Sequence, residues 1–361
     1  MIAITTPQHG RPERGFSLIE IMVGIVIGLI AVLIIYQVFA AAEGIKRNTT
    51  SVGDAQQNGL LSSFMLGIEL ANAGNGVASA AQDLGKCPGS VSFASTWRPL
   101  PLMIVDGGGD DLPDSFMVNY SVTNAAIAPA PFTATAAANA PYSVQSPTGF
   151  QKNDLIVAIS AGGCAASKIT ADPVGPDVNG VVTLTHTDPG VGVTFGGADV
   201  LLNMGPVANA QKVRYDVAAG VLRSTALLKA DGTLNDDTAP PPNPLASNVV
   251  NMKLQYGLDT NKDGVLEWVK AATSPWTPTE LMSAIPGPNL VAQLKALKAV
   301  RIGIVVRGEQ WDRDAPDVPW SLFGGTAGGG YEGTFPSASG NYRYRTYETV
   351  IPVRNELWNA L

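Results

Sequence analysis

The sequence predicts an α+β protein: a long N-terminal transmembrane and amphipathic helix packed on a mostly antiparallel, β-rich domain. Three observations point there. Apolar residues run almost without interruption from Ile21 to Phe39, about the length that carries a helix across a bilayer. No proline occurs between Phe16 and Pro88, so nothing in the chain obliges the helix to stop where the apolar run ends. Beyond residue 100, apolar residues fall into short segments, several alternating with period two and bounded by Gly, Pro, Asn and Asp, the pattern of strands and turns.

The helix divides into parts along the chain. Residues 1–15 form a short charged leader, residues 16–42 the membrane span, residues 43–74 an amphipathic continuation, and residues 75–361 the β-rich domain. Arg11 and Arg14 precede the span, which holds that end in the cytoplasm by the positive-inside rule; Lys46 and Arg47 beyond it weaken the asymmetry. Within the span, Gly24 and Gly28 make a small-xxx-small face suited to close helix packing. In the continuation, Leu61, Phe64 or Met65, Ile68, and Ala71 or Asn72 recur at helical spacing and predict the face laid on the sheet. Glycines at 74 and 76 predict the stop. The anomaly is Glu20, a carboxylate at the mouth of the apolar run. An acid there costs several kcal/mol unless something neutralises it, which makes it a functional residue by default.

The string Gly15-Phe16-Ser17-Leu18-Ile19-Glu20 resembles the type III signal of type IV prepilins and type II secretion pseudopilins. An ordinary secretory signal has a shorter apolar run, roughly 7–15 residues, with its cleavage site after it. Here the run is longer and the candidate scissile bond precedes it. A plain signal anchor fits the length and leaves Glu20 unexplained. The resemblance implies cleavage after Gly15 by a prepilin peptidase on the cytoplasmic side and N-methylation of Phe16. It also implies that the helix is retained as the stem of a filament subunit. In that scheme Glu20 pairs with the methylated amine of a neighbouring subunit. Two local alternatives remain: Glu20 folds back on its own amine, one helical turn away, or is protonated.

Strands are expected at residues 116–122, 155–160, 181–185, 212–217, 249–256, 300–307 and 342–351, and a helix at 289–297. Residues 124–148, rich in Ala, Pro and Thr, the Pro240–Pro244 break and the glycine-rich stretch 324–333 read as surface connections or extended spacers. The segments Ala210–Arg223, Val249–Gly264, Val300–Arg307 and Tyr344–Asn355 are similar to the last part of PilW-type minor pilins. Residues 77–208 resemble no named family. The PilW resemblance implies a low-abundance subunit of a Gram-negative type IV pilus, working in a priming or tip complex. Its implied partners are other minor pilins, the major pilin, prepilin peptidase, a large pilus tip protein and inner-membrane lipid. The implied location is the inner membrane, single-pass, with the N-terminus cytoplasmic and the C-terminal domain periplasmic, and then the pilus at the cell surface. Two other readings stand beside it: a type II secretion pseudopilin with the same stem, and a tip-located adhesive module in residues 77–208.

The 361-residue chain has 23 basic and 30 acidic residues. Loss of residues 1–15 removes Arg11, Arg14 and Glu13, leaving 21 against 29 and a net charge of −8. That balance argues against nucleic acid, which needs a basic patch. Cys87 and Cys164, flanked by Gly and Pro that suggest loops, read as one disulfide in an oxidising compartment, with two unlinked thiols as the alternative. Asp259, Asn261, Asp263, Val265 through its carbonyl, and Glu267 resemble the first half of a calcium loop. The twelfth position counted from Asp259 is Lys270, where an EF-hand has glutamate, and the alternative is a polar hairpin turn. No other cofactor is expected. Enzyme motifs are missing: His9 lies in the leader, and His186 stands alone as a strand-end surface residue.

Overall fold

The structure, a computed structural model of the chain, describes residues 15–77, 100–121, 128–145, 149–207, 211–227, 241–283, 290–311, 319–333 and 342–353. Helix α1 (Leu18–Asn72) spans 55 residues. It ends at Gly74 and Gly76, both with positive φ (80° and 71°), a conformation that costs glycine little. The chain divides into two compact units, Met1–Ser51 and Val52–Leu361.

In the first unit, α1 is a bare apolar rod. The large apolar side chains from Leu18 to Phe39 are exposed, and this part of the helix is long and apolar enough to cross a membrane. A Cβ added at Gly24 or Gly28 would meet nothing within 4 Å, so both glycines offer open backbone surface.

The second unit begins with the rest of α1 and continues through strands. They are β1 (Leu102–Val105), β2 (Ser115–Tyr120), β3 (Ala130–Pro131), β4 (Ala136–Ala137), β5 (Tyr142–Gln145), β6 (Asp154–Ser160), β7 (Gly163–Lys168), β8 (Val181–Leu184), β9 (Thr194–Phe195) and β10 (Val200–Pro206). Next come β11 (Gln211–Ala218), β12 (Val221–Ala226), β13 (Asn243–Ser247), β14 (Val249–Leu258) and β15 (Glu267–Lys270). Two short helices follow. The first is α2 (Pro278–Leu281), opened by a Thr277/Glu280 capping box, and the second is α3 (Leu290–Ala296). The last strands are β16 (Leu297–Arg307), β17 (Trp320–Leu322), β18 (Tyr331–Gly333) and β19 (Tyr344–Pro352). All pairings among them are antiparallel.

Three main sheets result, with strand orders β1-β2-β11-β12-β13, β3-β10-β6-β7 and β15-β14-β16-β19. One large core joins Leu66 and Leu70 of α1 to the inward residues of the first and third sheets and to Leu155, Val157 and Ile159 of β6. The alternate residues of β6, Ile156 and Ala158, enter a second core with Phe132, Tyr142 and Phe195. The middle sheet is therefore covered on both faces, which is why all seven residues of β6 are buried.

The structure corrects several expectations. The helix face laid on the domain is Ala55, Ser62, Leu66 and Leu70, with Ala73 buried just beyond the helix, whereas Leu61, Phe64 and Ile68 are exposed. Small residues decide the choice. A Cβ at Gly59 would overlap the Tyr347 ring, so the backbone approaches the sheet where a side chain is missing. Residues 128–145 are no spacer: Ala130, Phe132, Ala138, Tyr142 and Val144 build the second core. Pro244 lies within β13, pairing with Arg223 on an edge strand where its missing N–H is tolerated. The glycine-rich stretch carries β18 and the buried Tyr331, whose hydroxyl donates to the Leu254 carbonyl at 3.1 Å.

Candidate assembly site

At the start of α1 the Ser17 carbonyl accepts from Glu20 N (3.0 Å) and Ile21 N (3.2 Å), so Glu20 falls in the first helical turn. An acid there is favoured by the positive end of the helix dipole. Its side chain is exposed and, among the described residues, makes no ion pair. Gly15 and Phe16 precede the helix outside regular structure, Phe16 with 80% of its surface open. The scissile bond expected between them is thus outside regular structure, where a peptidase can take it as an extended strand. Glu20, Gly24 and Gly28 follow at intervals of four and share one side of the helix. An acid near the end and two glycines along one stripe suit a close, registered contact with a second helix.

The membrane-distal half of α1 is held to its domain by polar bolts as well as by Leu66 and Leu70. Tyr120 donates to Glu69 Oε2 at 3.0 Å, and Asn58 donates to the Ser247 carbonyl at 3.3 Å. Burial and the Glu69 carboxylate raise the pKa of both Tyr120 and Tyr215, which keeps these hydroxyls protonated as donors.

A buried ion pair, missed in the sequence, fixes the third sheet. Lys253 Nζ lies 2.9 Å from Asp114 Oδ1, with side-chain exposures of 0% and 1%. Nζ also donates to the Gly109 carbonyl at 2.6 Å, while Asp114 accepts from Leu254 N (3.0 Å) and Gly107 N (3.1 Å). Desolvation raises the Asp114 carboxyl above its ordinary value despite the opposing pull of Lys253 and these donors. The alternating polar residues Asn251, Lys253 and Gln255 are all buried, roofed by the loop before β2 and by the β17–β18 region. Only their partners' distance along the chain hid this.

The remaining sequence candidates are dispersed. Cys164 is fully buried in β7 rather than in a loop, and Cys87 lies outside the described residues. His186 is half-buried, its ring tilted against that of Tyr142 with centroids 3.8 Å apart, and its ring nitrogens lie 2.8 Å from the Thr187 carbonyl and 2.9 Å from that of Ala140. It is a packing residue, not a surface one. The segment 259–266 connects β14 to β15. There Asp263 Oδ1 accepts from Val265 N (2.7 Å), Asn261 Oδ1 accepts from Asp263 N (3.2 Å), and Glu267 accepts from Thr260 (3.2 Å). The first two are Asx-turn bonds, with Lys262 and Gly264 in the left-handed region. Among the described residues no group of three or more His, Cys, Asp and Glu side chains could hold a metal ion.

Comparison with protein families matches residues 10–36 to the prokaryotic N-terminal methylation motif and residues 214–355 to Type IV Pilus-assembly protein W. No curated protein matches the chain. Among solved structures, a type IV-like pilin from Thermus thermophilus aligns over 57% of this chain and 84% of its own at 13% identity. The TM-score is 0.20, too low to bear on fold or function. The methylation motif contains Gly15, Phe16, Glu20, Gly24 and Gly28, and the second match spans β12 to β19, the part of the domain that includes the whole third sheet. The two matches make residues 10–36 similar to a prepilin-type N-terminal signal and residues 214–355 similar to type IV pilus-assembly protein W, and together they support a pilus-assembly subunit of the kind of the PilW-type minor pilins.

Proposed function

We propose that this pilin acts in the priming or tip complex of the pilus, entering it through its N-terminal helix. In this reading prepilin peptidase cuts between Gly15 and Phe16, and the new Phe16 amine is methylated. Glu20 then pairs with that amine on an adjacent minor or major pilin. The observation that carries the reading is the exposed apolar rod of residues 18–39 with one acid, Glu20, in its first turn. Two charges that are each costly in hydrocarbon offset one another when subunits dock in register, so pairing selects axial position as well as partner. The protein itself supplies no chemistry: it is a structural subunit, without cofactor, and a large tip protein is among its partners.

In the membrane the leader faces the cytoplasm and the β-rich domain the periplasm, and Cys87 and Cys164 join there. Closing a loop of that length stabilises the domain by about 4–5 kcal/mol in the chain-entropy model. Mass spectrometry of membrane-extracted protein should find methyl-Phe16 as the N-terminus, and non-reducing peptide maps should find the two cysteine peptides linked. A mature N-terminus elsewhere overturns the processing assignment, and two free thiols overturn the bridge.

A further inference from the structure

The outer edge of β19 is built to take another strand. The Arg343 carbonyl accepts from Gly308 N at 2.8 Å, and Val353 N donates to the Lys298 carbonyl at 3.0 Å. Between those two bonds the register with β16 is unbroken from Tyr344 to Pro352. In an antiparallel pair, residues alternate between facing the partner strand and facing away. Odd-numbered residues therefore turn their N–H and C=O toward β16, and Thr346, Glu348 and Val350 turn theirs outward. Among the described residues nothing accepts or donates to those outward groups.

Such edges are usually blunted. On the first sheet, β13 is interrupted by Pro244 and a register shift, and on the far side of the third sheet β15 is only four residues long. By contrast β19 runs nine residues, stopped only by Pro352. It also borders a groove of about 610 Å³ lined by Val52 and Gln56 of α1, by Trp320 of β17, and by Arg345 and Thr346. The lining includes Arg343 and Arg345 and no carboxylate. Arg345 is exposed and unpaired among the described residues.

We propose that the outer edge of β19 is a β-augmentation site for an extended, acidic segment of another protein. The incoming backbone pairs with Thr346, Glu348 and Val350, and a carboxylate reaches Arg345. Main-chain bonds supply affinity over about 17 Å of strand, and the arginine supplies selection by charge. The site does not depend on processing or on Glu20, so a failure of either leaves it standing.

The test uses the detergent-solubilised full chain and a fluorescein-labelled nonapeptide alternating Glu with Val or Thr, read by anisotropy. Binding is expected, with the amides of Thr346, Glu348 and Val350 becoming protected from hydrogen exchange. Arg345→Glu should weaken it at least tenfold, and the same peptide N-methylated at alternate backbone nitrogens should not bind. Thr346→Pro, which removes an outward N–H and no bond to β16, should abolish binding. Equal binding of the N-methylated peptide, or none by the wild-type chain, overturns the proposal. So does edge-dependent self-association without peptide binding, which would assign the edge to a second copy.

Discussion

The two halves of α1 are one continuous helix with opposite relations to the rest of the chain. From Leu18 to Phe39 the large apolar side chains are exposed; from Ala55 to Leu70 one face is buried. Among the described residues no apolar surface covers the first half, which leaves it available to lipid or to another subunit. The second half shows that the buried face need not be the most apolar one. Ala55, Gly59 and Ser62 face inward with Leu66 and Leu70, while Leu60, Leu61 and Phe64 face out. Close approach decided the matter: small residues bring the helix axis nearer the sheet, and the gain in packing over the whole contact outweighs a few exposed leucines.

That contrast can be broken or sharpened by paired substitutions in the full chain. Leu70→Ala should cost the domain about 2–5 kcal/mol, the range for a fully buried leucine, whereas Leu33→Ala should leave its denaturation midpoint unchanged. Equal losses would mean that both halves pack within the chain. Gly59→Ala should cost about 1–3 kcal/mol, because the Tyr347 ring must move or the helix lift away. Gly24→Ala, which meets open space, should cost the domain nothing, and a Gly59→Ala protein as stable as wild type would remove the close-approach explanation. Phe64→Ala should stay within about 0.5 kcal/mol despite deleting an aromatic ring. The smallest effect is expected far from the helix. Calcium and chelator should give the same melting temperature, since the Asp263 and Asn261 oxygens already close backbone turns. A calcium-dependent rise that Asp263→Ala removes would restore the cation reading.

Periodicity made the long elements legible. The apolar run, the glycines that end α1, and β6, β11, β14, β16 and β19 follow from pattern and punctuation, and α3 lies within the expected 289–297 segment. The signal at Gly15–Glu20 was legible because an acid beside an apolar span has few structural explanations. What stayed hidden depended on partners distant in sequence. Lys253 and Asp114 are 139 residues apart, so no local pattern marks them as a buried pair. Residues 128–145 looked like a spacer because their strands are two to four residues long and their core residues, Phe132 and Tyr142, meet Phe195 only after the chain returns. Gly59 gave no sign of its role, since a glycine in a helix reads as a weak point until the Tyr347 ring is placed against it.

In the proposed assembly, another subunit completes the exposed half of α1 through Glu20. Glu20→Ala removes a desolvation cost, so the variant should insert and be cleaved between Gly15 and Phe16 as the wild type is. In the proposed pairing it loses the partner for a neighbour's methylated amine. Affinity purification from membranes, with the other minor pilins quantified alongside the processed protein, measures that loss directly. The variant should accumulate in processed form while co-purifying minor pilins fall at least tenfold and the subunit disappears from sheared pili. Wild-type recovery of partners and of the subunit in pili would contradict the assignment of Glu20 as the docking group.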